Sequence, residues 1–354
     1  MENKQMLEEF LELVQIPVNS RNERQIADVL KAKLEALGLE VTEEDTGAKI
    51  GGNAGNIRAV LRGTADCEPL LFSAHMDEVG LVVTHIDDDG YLRFGFAGGI
   101  DRRVIIGKSV YVGDGRVPGV IGIKAYHLVT DEEEKKVPKA EEMYIDIGAR
   151  SRAEAEKLVS LGDACVFDDT VVEFGSGYLK AKAIDDRLGC AVMLKLIESD
   201  LPCDCCFAFT VQEEVGTRGA RTAAYRVQPD VCLILEGTTA ADLPGSSPEN
   251  EVCRLDGGVV IPFMDRGTLY DPALYKALTA LADENGIRWQ TKRMIAGGTD
   301  GAAVQRSAGG VRTAGLACGI RNLHSPACVA NTADFEPMLK LTGLFVGAFA
   351  EGRI

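Results

Sequence analysis

A chain of 354 residues exceeds twice the ~100–150 residues of a common domain, so two domains are expected. Hydrophobic residues at 46% and charged residues at 26% suit a globular protein with a substantial core. With 38 Lys and Arg against 54 Asp and Glu the formal charge is −16, and no basic cluster offsets it, which argues against a nucleic-acid partner.

The opening segment, MENKQMLEEFLELVQIP, has neither the basic start nor the apolar run of a signal peptide. Leu7, Phe10, Leu11 and Val14 mark one face of an amphipathic helix instead. No stretch approaches ~20 uninterrupted apolar residues, so a cytoplasmic protein without membrane contact is expected. A second helix is expected over about 23–37, with Ile26, Val29, Leu30, Leu34 and Leu37 on one face and Gly38 as its stop. Strands follow at 56–61 and 70–73. Over 79–177 short β-like runs dominate, at 91–96, 104–106, 109–112, 117–123, 164–167 and 171–174. One helix is expected there, from 151 to about 161, opened by the capping-box pattern Ser151-Arg152-Ala153-Glu154. Residues 131–136 read as a solvated charged loop.

From about Leu179 helix and strand patterns alternate again. Helical faces include Leu188, Ala191, Val192 and Lys195, then Leu274, Ala277, Leu278 and Leu281; strands are expected at 207–211 and 231–235. The texture implies one α/β domain (1–78 and 178–354) interrupted by an inserted β module (79–177). Ten cysteines lie at 67, 165, 190, 203, 205, 206, 232, 253, 318 and 328, and most are expected to be reduced, buried small hydrophobes. Cys203-Asp204-Cys205-Cys206 lacks the second half of a zinc ribbon and reads as a turn into the strand at 207–211.

Five segments place acids and histidines at strand ends or helix starts, where open α/β sheets build their sites. Leu70-Leu71-Phe72-Ser73-Ala74 runs out into His75-Met76-Asp77; on extended backbone residues i and i+2 point the same way, so Asp77 can orient the imidazole of His75. Ala183-Ile184-Asp185-Asp186 precedes an apolar-periodic helix. Capping needs one carboxylate, so the other is free to bridge two metal ions, and spacing does not say which. Glu213-Glu214 follows an apolar strand. Buried like charges need compensating cations, and their divergent directions let one bind metal while the other handles protons. Glu236 ends the run Val231-Cys232-Leu233-Ile234-Leu235, and His324 sits in Arg321-Asn322-Leu323-His324-Ser325-Pro326. The other two histidines, His85 and His127, fall in the β module and read as structural. Two histidines and three or more carboxylates suit two divalent metals, ~3.5–4 Å apart, with zinc, cobalt and manganese all accepting such ligands.

The segments SAHMDEVG, KAIDDRLG, QEEVGTRGA, LEGT, GGTDGAA and RNLHSP, in this order, resemble the tetrahedral (TET) metallo-aminopeptidases of peptidase family M42, which include the glutamyl and deblocking aminopeptidases. GKSVYVGDGRVPGVIGIKAYHL and YIDIGARSRAEAEKLVSLGD extend the resemblance through the β module. It implies a three-layer mixed-sheet α/β catalytic domain with an inserted β-rich, barrel-like domain that mediates dimerisation, and dimers that assemble into a dodecamer. It implies His75, Asp185 and Glu236 on one metal, Asp185 as the bridge, and Glu214 and His324 completing the second. Asp77 would orient His75, and Glu213 would be the general base acting on a metal-bridging water. The implied activity is removal of N-terminal residues from short peptides, with zinc or cobalt, or else manganese, as the two ions per subunit. The same groups would serve dipeptides or N-acyl amino acids, and a non-catalytic assembly protein is the remaining alternative. Two departures bear on the substrate pocket: Pro17–Glu23 lacks the small Gly-rich turn often found there, and Thr299-Asp300-Gly301-Ala302-Ala303 has its Gly one place early.

Overall fold

Four near-continuous apolar runs must be buried on both faces, and that condition builds a parallel sheet sandwiched between helices. The computed structural model describes residues 2–354. Three strands come first, β1 (Val41–Glu43), β2 (Ile57–Leu61) and β3 (Ala65–His75). The chain then forms β4 (Gly80–Ile86), β5 (Leu92–Ala97), β6 (Ser109–Val112), β7 (Val117–Gly122), β8 (Tyr144–Asp146) and β9 (Ala164–Phe167). A hairpin of β10 (Val172–Phe174) and β11 (Tyr178–Ala181) leads to β12 (Cys203–Thr210), β13 (Val231–Thr239), β14 (Val259–Ile261), β15 (Trp289–Thr291), β16 (Arg312–Ile320) and β17 (Cys328–Asn331).

The main sheet has the order β1-β2-β12-β3-β13-β16-β14-β15, and its four central strands are parallel. Alternate side chains go to opposite faces. Leu70, Phe72 and Ala74 join Phe207, Phe209, Leu233 and Leu235 under the long helices Glu2–Val14, Arg24–Ala36, Ile184–Ile197, Pro272–Glu284 and Phe335–Ala350. Leu71, Ala208, Cys232 and Ile234 face the other way, against Ala220, Ala223 and Ala224 of the helix Arg218–Val227 and Val304 of the turn Gly301–Val304. The result is a three-layer mixed-sheet α/β fold. The six strands β4-β5-β8-β7-β6-β9 close into a barrel around its own core of Leu81, Val83, Leu92, Phe94, Val110, Ile121, Ile145 and Phe167. A separate sheet, β10-β11-β17, ties the segment after the barrel to the C-terminal part of the chain. Among the described residues, no helix is long and apolar enough to cross a membrane.

Several local expectations change. The run 104–106 is a turn rather than a strand: Arg102–Val104 forms one 3-10 turn because the Asp101 side chain accepts the Arg103 amide. The helix expected over 151–161 is the single turn Arg152–Ala155, with Leu158 and Leu161 exposed, so a longer helix would have had little apolar face to bury. Ser151 accepts the Glu154 amide, but Glu154 answers to the Arg150 amide, giving half a capping box. The full box is at Thr130 and Glu133, where the charged stretch winds into the turn Asp131–Glu134. Cys203, Cys205 and Cys206 lie inside β12 rather than in a turn before it, and all ten cysteines are free thiols. Leu37 is exposed, beyond the helix Arg24–Ala36, and Gly38 follows at φ 79°, a left-handed stop that suits glycine.

Candidate functional site

Parallel strands bring their carboxyl ends to one edge of the sheet, and that edge collects imidazoles and acids. β3 ends on His75, which pairs across the ladder with Thr210 of β12. Two residues beyond β12 the chain turns through Gln212 at φ 57° and delivers Glu213 and Glu214. Glu236 lies inside β13 rather than at its exit, since that strand continues to Thr239. Asp185 and Asp186 open the helix Ile184–Ile197, joined by a cis peptide. His324 lies beyond β16, in a loop, at φ 56°.

These segments converge. His75 Nε2 lies 3.3 Å from Asp185 Oδ1 and 3.9 Å from Glu236 Oε1. His324 Nε2 lies 3.4 Å from Asp185 Oδ2 and 3.3 Å from Glu214 Oε2. Asp185 therefore shows one oxygen to each imidazole. Donor atoms of His75, Glu213 and Glu236 lie within 4.8 Å of one another, as do those of His75, Asp185 and Glu214, and those of Asp185, Asp186 and Glu236. Asp186 accepts the Gly189 amide at 3.0 Å, so this acid does the capping and its neighbour faces the histidines. His85 and His127 join none of these groups; His85 is more than half exposed on the barrel.

Each imidazole is fixed from behind. His75 Nδ1 lies 3.1 Å from the Asp77 carbonyl and 3.5 Å from its carboxylate, so the backbone oxygen is the nearer partner. His324 Nδ1 lies 2.8 Å from the Gly99 carbonyl, which follows β5 of the barrel. An Nδ1–H donated to a carbonyl leaves the Nε2 lone pair facing the carboxylates. The Asp77 carboxylate has further partners: it accepts Ser20 Oγ at 2.6 Å and the amides of Glu213 and Glu214 at 2.9 and 3.3 Å.

Electrostatics follow from burial and crowding. Burial pushes the Glu213 carboxyl well above its ordinary value, with Asp300, Glu214 and Asp77 adding to the shift and His75 opposing it. Burial likewise raises Glu214 to about 8, with Asp185 adding and His324 opposing. Glu236 is pushed well up by burial and by Asp186, Glu213 and Asp185, against His75. Asp185 goes the other way: against burial, His324 and His75 hold it below the carboxylate range. Burial disfavours the imidazolium of His75, yet Glu236, Asp185 and Asp77 carry its pKa well above the usual value; in the same way His324 reaches about 9 through Asp185 and Glu214.

The residues fit divalent cations. Five carboxylates and two imidazoles crowd a buried pocket. His75 Nε2, Glu236 Oε2 and Asp186 Oδ2 are buried atoms without a hydrogen-bond partner. Such a set keeps its charge only beside cations; otherwise protons must stand in for them, which is what the raised values express. Hard oxygen donors with imidazole, and no thiolate, match zinc, cobalt or manganese.

The sequence reading passed over three neighbours. Asp300 is fully buried, accepts Thr210 Oγ1 at 2.5 Å and stands near enough to raise Glu213. Glu78 pairs with Lys182 at 2.6 Å beneath the site, and Arg187 donates to the Leu13 and Ile16 carbonyls at the end of the first helix. Glu23, taken only as a helix start, is fully buried and accepts the Gln212 amide. For Asp300 the signal is an acid within the Gly-rich stretch GGTDGAA; Glu23, among polar and charged neighbours, carries no such signal.

The model of the family described as M42 glutamyl aminopeptidase matches residues 55–341. A putative aminopeptidase of Acetivibrio thermocellus is 36% identical over 96% of this chain and 98% of its own length. The structure of the aminopeptidase APDkam598 from Desulfurococcus kamchatkensis superimposes with a TM-score of 0.91 at 31% identity, covering 99% of this chain and 98% of that one. The Pyrococcus horikoshii TET1 peptidase, described as assembling into a tetrahedron or a large octahedral shell, has a TM-score of 0.83 at 32% identity, over 96% of this chain and 99% of that one. Matched along most of its length in sequence and in fold, the chain belongs to the M42 aminopeptidase family and is a peptide hydrolase.

Proposed function

We propose that the chain is a two-metal aminopeptidase that removes N-terminal residues from short peptides. One observation carries the reading: His75 and His324, from opposite ends of the sequence, stand against the two oxygens of one carboxylate, Asp185. His75, Asp185 and Glu236 would hold one ion, and Asp185, Glu214 and His324 the other. Zinc, cobalt or manganese would supply Lewis-acid polarisation of the scissile carbonyl and a water made acidic enough to react near neutral pH.

The remaining work belongs to the chain. Glu213 takes a proton from the attacking water and passes it to the leaving amine; its carboxyl reaches the same donor group as His75 and Glu236. Burial alone would keep that carboxyl protonated, and neighbouring cations shift it towards the ionised form a base needs. The Asp77 carbonyl holds the His75 ring, and its carboxylate fixes the amides of Glu213 and Glu214. With the chain divided into 1–78 with 178–354 and an inserted 79–177, the barrel would have a separate task, dimerisation; the dodecamer and the tetrahedral or octahedral shells of the structural relatives support a homo-oligomer, for which a dimeric building block and a dodecamer are our reading.

Metal analysis with peptidase assay tests the reading. Chelation should abolish release of N-terminal residues from aminoacyl-anilides and short peptides, and zinc, cobalt or manganese should restore it at two ions per subunit. Hydrolysis confined to N-acyl amino acids or dipeptides would move the assignment to those amides. No hydrolysis in any metal form would leave a non-catalytic assembly protein.

A further inference from the structure

The turn that delivers Glu213 and Glu214 has three consecutive amides, and each ends on a buried carboxyl. Glu213 and Glu214 donate to Asp77. Gln212 donates to Glu23 Oε1 at 3.1 Å. The same oxygen accepts the Arg21 amide at 2.8 Å. Arg21 stands at φ 83°, in the left-handed region that glycine enters at no steric cost, so Glu23 also secures a turn that an arginine would otherwise leave. This is where the Gly-rich turn is lacking, and its geometry is kept by a carboxyl in place of glycine. Ser20, in the same turn, donates to Asp77 Oδ2 at 2.6 Å. Gln212 is itself at φ 57°, a position a glutamine holds only when its surroundings insist.

We propose that the Ser20–Glu23 turn is the seat of the catalytic turn, with Glu23 a positioning residue that aims Glu213 through the Gln212 amide and Ser20 assisting through Asp77. Neither touches substrate. The reading rests on Glu213 being the base. Glu23 is fully buried next to Asp77, and burial together with that charge raises its carboxyl to about 8, which favours the neutral form. Its other oxygen, Oε2, has no partner and is free to carry the proton. A neutral acceptor can be replaced by an amide: glutamine offers the same oxygen to both amides.

The test compares Glu23→Gln, Glu23→Met, Ser20→Ala and Glu213→Gln in the metal-loaded enzyme, with kcat, KM and bound metal measured on one aminoacyl-anilide. Glu23→Met keeps the volume and removes the acceptor. Its kcat should fall roughly 10–100-fold, the scale of a reacting group displaced by a fraction of an ångström, with KM and metal content near those of the parent. Glu23→Gln should recover kcat to within about threefold of the parent, a modest residue of geometry in a hydrogen bond of the same kind. Ser20→Ala, a small change that tests the same seat should Glu23→Met not fold, should lower kcat several-fold with KM unchanged. Parental kcat in both Glu23→Met and Ser20→Ala would overturn the proposal. So would a Glu23→Gln enzyme as impaired as Glu23→Met, or a Glu23→Met loss that excess metal fully restores. Full turnover in Glu213→Gln would sink the base assignment itself, whereas a dead Glu213→Gln beside an unimpaired Glu23→Met would remove only the role of Glu23.

Discussion

The two halves of the site rest on different foundations. His75, Asp185 and Glu236 come from β3, the start of a core helix and β13, and His75 is 1% exposed. The His324 side chain is 33% exposed, on a loop residue with positive φ, and its tautomer is set by a carbonyl 225 positions away on the barrel side. One half inherits the stability of the parallel sheet. The other exists only while two separately cored parts of the chain stay docked. Stability is not uniform across a fold, and the ligand group with fewer buried contacts should be the one that opens first.

Glu213 stands beside His75 and Glu236 without a place among the proposed ligands, so Glu213→Gln should leave both halves intact and strike turnover alone, by about 10²–10⁴-fold, as loss of a general base does. Metal analysis beside kcat checks this, and metal loss in the variant would erase the distinction. The halves themselves separate in His75→Ala and His324→Ala. If His324 is a ligand, its removal should weaken the ion it holds by more than the roughly 10–100-fold that loss of a supporting partner costs, and excess metal should restore part of the activity. Removing His75 should empty the deeper half, leave buried carboxylates uncompensated and lower Tm as well. Equal recovery of both variants by metal would contradict the comparison.

A third prediction concerns the chelated protein. Glu214, raised from 4.5 to about 8, binds its proton more tightly in the folded state than in the unfolded chain. Between those values the folded form carries the extra proton, so metal-free stability falls as pH rises from about 4.5 towards 8. Thermal unfolding in chelator should give a lower Tm at pH 8 than at pH 6, with the dependence much reduced in the metal-loaded form. The smallest effect is on the barrel side. A Cβ at Gly98, at φ 92°, would meet Val79 Cγ1 at 2.7 Å and shift the segment that holds His324. Gly98→Ala should lower kcat several-fold, whereas Ser151→Ala, a cap remote from that contact, should cost about 0.5–2 kcal/mol of stability and leave kcat alone.

Much of the site was legible because chemistry restricts where acids go. Apolar strands ending in His75 and in Glu213-Glu214 have few structural explanations, and the α/β–β–α/β texture located the barrel. What escaped was set by tertiary neighbours. Nothing local tells Asp185 from Asp186; the amide of Gly189 captures one of them. Glu23 looks like any acid before a helix until the turn at Gln212 packs onto it. The strand at β4, Gly80-Leu81-Val82-Val83-Thr84-His85-Ile86, lacks strict alternation because it bends through an irregular register against β5. The helix expected after Ser151 stopped short because the barrel gives only Ala155 and Val159 a buried place.

The carbonyl of Gly99 on His324 also orders events in time. In synthesis residue 99 precedes residue 324 by 225 positions. The sheet strands β3, β12 and β13 are all out of the exit tunnel before that histidine is made. The deeper half of the site can therefore assemble on a nascent chain, but the second awaits both the finished barrel and the final strands. On that order the half that holds His324 is the last part of the cluster to form.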